Sequence, residues 1–250
     1  MTSADHLIRT RELPATRRQA PWPSPADGDR IDAPRPGTEA RTPLGPYETA
    51  LREGGVLYMR RADGRRQALD LARWKAPADA ADLSLVARCT GPTLDIGCGP
   101  GRLTAALVRR GLPTLGIDLA REAVRATTRA GAACLRKSVF DPLPREGRWG
   151  TALLADGNIG IGGDPAALLG RSAALLRTGG VLLVETNPDD PQAHERFAVR
   201  VEDTHGRRGA AFRWATVGAA ALALLAPAQG FIVHEAWDHS GRAFTSLRRT

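Results

Sequence analysis

The residues best equipped for chemistry sit in one short stretch, Asp95-Ile96-Gly97-Cys98-Gly99-Pro100-Gly101. There an apolar run ends in a carboxylate and then in glycines at alternate positions. Glycine lets the backbone bend sharply and lets a ligand approach the main chain closely. The carboxylate two residues before the first glycine narrows the choice of ligand. It would repel a dinucleotide pyrophosphate and attract a group carrying an ammonium. Further acidic sites follow apolar runs: Gly116-Ile117-Asp118 with Leu119 beside it, Ser138-Val139-Phe140-Asp141, and Leu153-Leu154-Ala155-Asp156-Gly157-Asn158. Each also has a plainer reading. Asp118 can cap the helix that follows, alone or alongside ligand binding. Asp141, before Pro142, can serve a turn. Asp156 and Asn158 can belong to an ordinary glycine-rich loop. Cys98 reads as a packing residue, because no histidine lies near it in sequence to activate a thiol.

The elements that must position these residues are legible as alternating patterns. A short helix is expected over Tyr47–Arg52, then strands over Val56–Arg60 and Gln67–Leu71, and a helix over Pro77–Arg88 with Leu83, Leu85 and Val86 buried. Strands at Thr93–Ile96, Thr114–Ile117, Ala133–Arg136, Thr151–Ala155 and Val181–Glu185 then alternate with helices at Arg102–Arg110, Arg121–Ala130 and Pro165–Leu176. A further helix is expected within Phe212–Pro227, and last strands over Phe231–Trp237 and Arg242–Leu247. Strands alternating with helices imply βαβ units and a parallel sheet. Asp238-His239-Ser240-Gly241 is too short for a parallel crossover, so the final strand must run antiparallel. The expected fold class is α/β: a doubly wound, mainly parallel seven-stranded sheet with an antiparallel last strand. A Pro- and Arg-rich stretch over 1–45 precedes it, with no apolar periodicity, and reads as a disordered tail or a docking peptide centred on Trp22. Within 46–250 the division expected is a cap segment (46–90), a cofactor-binding half (91–186) and a substrate-side half (187–250).

With these elements in place, Leu94-Asp-Ile-Gly-Cys-Gly-Pro-Gly101 resembles the first signature of the S-adenosylmethionine-dependent methyltransferases of the doubly wound, Rossmann-like class. Leu175-Leu-Arg-Thr-Gly-Gly-Val-Leu-Leu-Val184 resembles that family's run into its fifth strand. The resemblance spans about residues 80–250. It implies S-adenosyl-L-methionine as cofactor, S-adenosyl-L-homocysteine as product, and Asp95, Gly97, Cys98, Gly99 and Gly101 around the cofactor. It also implies Asp118 on the ribose hydroxyls beside Leu119, Asp141 on the adenine amino group with Phe140 flanking the ring, and Asp156 and Asn158 facing methionine and acceptor. The family's Asn-Pro-Pro-Tyr and Asp-Pro-Pro-Tyr signatures for base or glutamine amines are absent, and so is a Pro-Cys nucleophile. Both absences point to a small-molecule acceptor rather than nucleic acid. A regulatory module that binds S-adenosylmethionine without catalysis is the alternative. A nicotinamide oxidoreductase is disfavoured by Asp95 and by the antiparallel last strand.

The remaining residues narrow the setting more than the reaction. The net charge is +8, but the arginines are dispersed and aromatics amount to 5%, too few for stacking single-stranded bases. Cys89, Cys98 and Cys134 form neither a zinc pattern nor a disulfide framework, so no metal and a cytoplasmic setting are expected. The apolar run Val217–Ala226 is too short to span a bilayer, so no membrane partner is expected. His194, His205, His234 and His239 are candidate bases, but none stands in a pattern that assigns it, and the catalytic residue is unknown. The region 187–216, with Asn187, Asp189, Asp190, Glu195, Arg207, Arg208, Phe212 and Trp214, is the expected substrate cover. Tyr58 and Trp74 are expected to close the pocket from above.

Overall fold

The structure, a computed structural model, describes residues 43–250. The tail expected over 1–45, with Trp22, lies outside the described residues as far as residue 42. Along the chain, α1 (Gly45–Glu53), β1 (Leu57–Arg61), β2 (Arg66–Leu69), α2 (Leu71–Lys75) and α3 (Ala80–Arg88) come first. The alternation β3 (Thr93–Ile96), α4 (Arg102–Arg109), β4 (Thr114–Asp118), α5 (Arg121–Arg129) and β5 (Ala133–Arg136) follows. After it stand β6 (Trp149–Leu154), α6 (Pro165–Leu175), β7 (Leu176–Thr186), β8 (His194–Asp203) and β9 (Phe212–Val217). The chain ends with α7 (Ala219–Leu225), β10 (Phe231–His239) and β11 (Arg242–Arg249).

The main sheet has seven strands in the order β10-β11-β7-β6-β3-β4-β5. The pairs β3–β4, β4–β5, β3–β6 and β6–β7 are parallel, and β11 runs antiparallel to both its neighbours. The doubly wound sheet with an antiparallel last strand is therefore borne out. Its residue patterns explain it. Every residue of β3 and β6 is buried, as expected where helices cover both faces. Along β6 and β7, Ala152, Leu154, Leu182 and Val184 pack with Leu168 and Leu169 of α6, whereas Leu153 and Leu183 pack with Leu85 of α3 and Leu107 of α4. Leu107 and Leu153 are fully buried, and each such side chain stabilises the fold by about 1.5–3 kcal/mol. The β10–β11 hairpin closes on Ser240 and Gly241, whose φ angles of 51° and 75° are those of a tight type I′ turn.

Several details differ from expectation. α3 begins at Ala80, because Asp79 caps it and Asp82 returns the bond to the Asp79 N–H. On that helix Leu83 is 53% exposed while Leu85 and Val86 are buried; the buried face runs through 82, 85, 86 and 89, and position 83 falls off it. Leu71–Lys75 forms a separate short helix capped by Asp70. Phe212–Val217 is a strand, so the helix expected within Phe212–Pro227 is confined to Ala219–Leu225. The region 187–216 accordingly contributes β8 and β9, which join β1 and β2 in a second, antiparallel sheet of order β2-β1-β8-β9. Leu57, Val201, Leu71 and Tyr47 form the small core beneath this sheet and α1. Among the described residues no helix is long and apolar enough to cross a membrane.

Strand order reverses at β3. The chain steps outward through β4 and β5, then returns to place β6 on the other side of β3. Ligands in such sheets bind beyond the carboxyl ends of the strands at that reversal, which is where Gly97–Gly101 and Asp156–Asn158 emerge.

Candidate active site

The glycine turn is held by the neighbouring strand. The N–H groups of Gly97 and Cys98 both donate to the carbonyl of Ile117, at 2.9 and 3.0 Å. The Gly99 N–H donates to Asp118 Oδ2 at 2.9 Å, and the Ala120 N–H donates to Asp118 Oδ1 at 2.8 Å. Asp118 thus clamps the turn to the end of β4, with one further lone pair on each oxygen. Burial pushes its pKa upward. It does not supply the first N–H of α5; Arg121 N donates instead to Glu48 of α1.

All of the turn's glycines have positive φ, but they do different work. A Cβ on Gly101 (φ 94°) would lie 2.9 Å from the Thr127 Cα, so this glycine lets α4 approach α5. A Cβ on Gly97 (φ 70°) would lie 2.7 Å from Asn158 Nδ2, which donates to the carbonyls of Ile96 and Gly97 at 2.9 Å each. The Asn158 amide nitrogen is therefore occupied in locking the turn. At Gly99 (φ 55°) the only neighbour within 4 Å among the described residues is the Tyr47 hydroxyl, 3.3 Å from the Cβ position. That leaves Gly99 as the place for close approach to the backbone.

Asp95 lies beneath the turn, 2% exposed, and accepts from the Thr104 hydroxyl at 2.6 Å. Burial pushes its pKa up to about 7, partly opposed by the Thr104 bond. Cys98 turns its side chain inward, with Sγ 3.5 Å from Cys134 Sγ. That contact and burial hold its pKa well above the thiol range, which fits the packing role rather than a nucleophile.

At the end of β6, Asp156 adopts a φ of 55° and becomes the hub of an ionic lattice. Arg73 Nη2 donates to its Oδ1 at 2.7 Å, and Arg102 Nη2 to its Oδ2 at 2.6 Å. The Asp156 N–H donates to Glu185, which accepts from both Nε and Nη2 of Arg242 at 2.8 and 2.7 Å. Arg242 also binds Asp82 at 2.7 Å, and Asp82 pairs with Arg102. The lattice ties α2, α3, α4, β7 and β11 together at the carboxyl edge of the sheet. Arg73, Arg102, Glu185 and Arg242 are site residues that sequence reasoning missed. Arg102, directly after the glycine run yet 6% exposed, was the one legible hint.

Leu119 and Phe140 are large apolar side chains left 54% and 46% exposed, as suits a flat ring lying against them. Asp141 accepts from the Ser138 N–H at 2.9 Å, which is the turn reading of that residue. Trp74 meets the Tyr47 ring edge-on at 6.1 Å, while Tyr58 lies beneath Arg66. Within the expected substrate cover, Arg207 and Arg208 pair with Asp203 and Glu202, Glu195 pairs with Arg61, and Asn187 accepts from the Asp189 N–H. Phe212 packs on the small core, and Trp214 lies against Gly160. Asp190 accepts from the Gln192 N–H. His205 and His234 are exposed, and His239 bonds to its neighbour Ser240. His194 keeps a buried Nε2 without a partner among the described residues, and burial lowers its pKa. No metal-binding group of three or more His, Cys, Asp or Glu side chains occurs among the described residues.

The family model described as "Methyltransferase domain" matches residues 78–236. The chain belongs to the methyltransferase-domain family. No curated protein matches it by sequence. Solved methyltransferases share its fold. One is a SAM-dependent methyltransferase from Bacteroides fragilis in complex with S-adenosyl-L-homocysteine, at 17% identity and a TM-score of 0.70, covering 86% of this chain and 97% of that one. Another is the 1,6-didemethyltoxoflavin-N1-methyltransferase of Burkholderia thailandensis, at 22% identity and 0.52, covering 72% and 81%. A third is the sugar N-methyltransferase KedS8 from a Streptoalloteichus species, at 19% and 0.51, covering 70% and 87%. The span matched by the family model takes in the glycine turn, Asp118, Asp156 and Glu185.

Proposed function

We propose that this methyltransferase moves a methyl group from S-adenosylmethionine to an oxygen, nitrogen or carbon of a small molecule. The observation that carries the reading is the Gly99–Asp118 clamp at the strand reversal, a bare backbone with an adjacent carboxylate. The residues fit the cofactor. Asp118 keeps lone pairs for the ribose hydroxyls, Leu119 and Phe140 offer apolar surface for adenine, and the lattice at Asp156 supplies charge for the methionine end. Bound there, the cofactor supplies an electrophilic methyl group on a sulfonium. The chain's part is to align that group with the acceptor and exclude water.

A small-molecule acceptor is supported by the neighbours named for 1,6-didemethyltoxoflavin and for a sugar. It is supported also by Ala155-Asp156-Gly157-Asn158 standing where base-amine enzymes carry Asn-Pro-Pro-Tyr. The scattered, unpaired cysteines fit a reducing cytoplasm. Isothermal titration with S-adenosylmethionine and S-adenosylhomocysteine, with methyl release measured over a panel of small amines, alcohols and phenols, tests the reading. Both ligands should bind, and Asp118→Ala should weaken binding by about 1.5–3 kcal/mol, the range for hydrogen bonds to a charged group. Unchanged affinity in that variant would refute the ribose assignment. Binding without turnover on any acceptor would leave a cofactor-binding module instead.

A further inference from the structure

Cys98 and Cys134 stand 36 residues apart in the chain, yet their sulfurs lie 3.5 Å from each other. Gly116 permits the meeting. It pairs with Cys134 in the β4–β5 register, and a Cβ on it would lie 2.8 Å from Cys98 Sγ. A side chain there would force the two sulfurs apart. Cys134 stands on β5, an edge strand of the main sheet, and is half-buried, whereas Cys98 is buried. The third cysteine, Cys89, is set differently. Its Sγ touches the Leu85 carbonyl at 3.4 Å, and burial pushes its pKa up to about 12.

Cys98 is also joined to the part of the turn left open for close approach. Its Sγ lies 3.8 Å from Thr127 Oγ1, which donates to the Gly99 carbonyl at 2.9 Å. The Gly99 N–H donates in turn to Asp118. Gly99 is thus held from both sides, and one of those holds runs past the Cys98 sulfur.

We propose that Cys98 and Cys134 form a reversible oxidation site, and that a disulfide between them loosens the cofactor turn. The oxidant is a peroxide. The Cys134 sulfur, reached from the sheet edge, attacks one oxygen of hydrogen peroxide; the O–O bond breaks, water leaves, and Cys134 carries a sulfenic acid. The Cys98 sulfur then attacks the Cys134 sulfur, the S–O bond breaks, and a second water leaves with the Cys98 proton. The two thiols give up two electrons and the peroxide takes them. The contact that most raises the Cys98 pKa is the Cys134 sulfur, ahead of burial. Oxidation of Cys134 turns that same contact into an electrophile already within reach. A bond of about 2 Å closes the present gap by about 1.5 Å, which shifts Cys98 relative to Thr127 and disturbs the hold on Gly99. A dithiol reverses the link by exchange. The effect on binding rests on the S-adenosylmethionine reading above; the link itself does not.

The test treats the reduced full chain with excess hydrogen peroxide and follows thiol titration in denaturant, intact mass and peptide mapping. Three free thiols should fall to one, the mass should drop by two hydrogens, and one cross-linked peptide should join Cys98 to Cys134. Titration calorimetry should then show S-adenosylhomocysteine bound about five-fold or more weaker, the scale of one hydrogen bond. Dithiothreitol should restore the reduced affinity. Cys134→Ser should bind like reduced wild type and not respond to peroxide, while Cys89→Ser should respond as wild type does. If Cys134→Ser does not fold by its circular dichroism and melting curve, Cys134→Ala takes its place. An unchanged thiol count, oxygen added rather than hydrogen removed, or a link through Cys89 or between two chains would overturn the site. A Cys98–Cys134 link that leaves affinity unchanged, or tightens it, would overturn the switch. Reduced wild type that does not bind S-adenosylhomocysteine would overturn the cofactor reading, while mass and mapping still judge the link.

Discussion

Asn158 offers the sharpest separation between a ligand contact and a structural lock. Its amide nitrogen donates to the carbonyls of Ile96 and Gly97, each at 2.9 Å, and so pins the loop after β6 onto the glycine turn after β3. Asn158→Ala removes two neutral hydrogen bonds, each worth about 1 kcal/mol net, for a loss of about 2 kcal/mol. For a chain of this size each kcal/mol moves the melting temperature by about 2–4 °C, so a drop of about 4–8 °C is expected. Asn158→Asp is nearly isosteric but should be worse than alanine. It sets a carboxylate against two carbonyl oxygens and desolvates the charge, for a loss of about 3 kcal/mol or more. Thermal and urea unfolding of both variants, beside titration with S-adenosylhomocysteine, decides the matter. An aspartate variant as stable as the alanine variant would refute the lock. So would unchanged stability with lost affinity, which is the signature of a plain ligand contact.

The other expectations concern the same turn. Gly101→Ala, whose Cβ would sit 2.9 Å from the Thr127 backbone, should destabilise the fold by about 2 kcal/mol or more. Gly99→Ala meets, among the described residues, only the Tyr47 hydroxyl and should cost about 1–2 kcal/mol from its left-handed φ while weakening the cofactor. Equal stability costs at the two sites, by urea unfolding, would contradict this division of labour. Asp95 holds its proton up to about pH 7 in the folded protein. The unfolded chain ionises it in the ordinary carboxylate range, so between that range and about 7 the folded state binds more protons. Its contribution to stability should decline with rising pH across this window and level off above it. Asp95→Asn should lack the decline, and a difference between the two proteins that is constant from pH 5 to pH 8 would overturn the assignment.

How much of this was legible follows from how local each cause is. β3 and β5 have the bounds expected from sequence, and α4 and α5 start where expected, because apolar runs, capping residues and glycines act within a few positions. The strand missed over Phe212–Val217 shows the opposite case. Its aromatic and β-branched alternation became a strand by pairing with β8, which pairs in turn with β1, more than a hundred residues earlier in the chain. Leu83 was misplaced because counting apolar residues does not establish which face of a helix is covered.

The residue chemistry divides in the same way. By itself the sequence determined the alternating architecture, the antiparallel final strand and the position of the glycine turn, since each depends on short-range backbone geometry and on the spacing of apolar side chains. Only the tertiary structure decided what each residue at that turn does. Gly101 serves helix packing, Asn158 locks the loop, Asp156 joins a lattice of arginines, and Tyr47 and Arg73 arrive from an arm outside the family's span. These roles depend on which charges and donors meet across the fold, and such meetings leave no periodic trace in a linear chain.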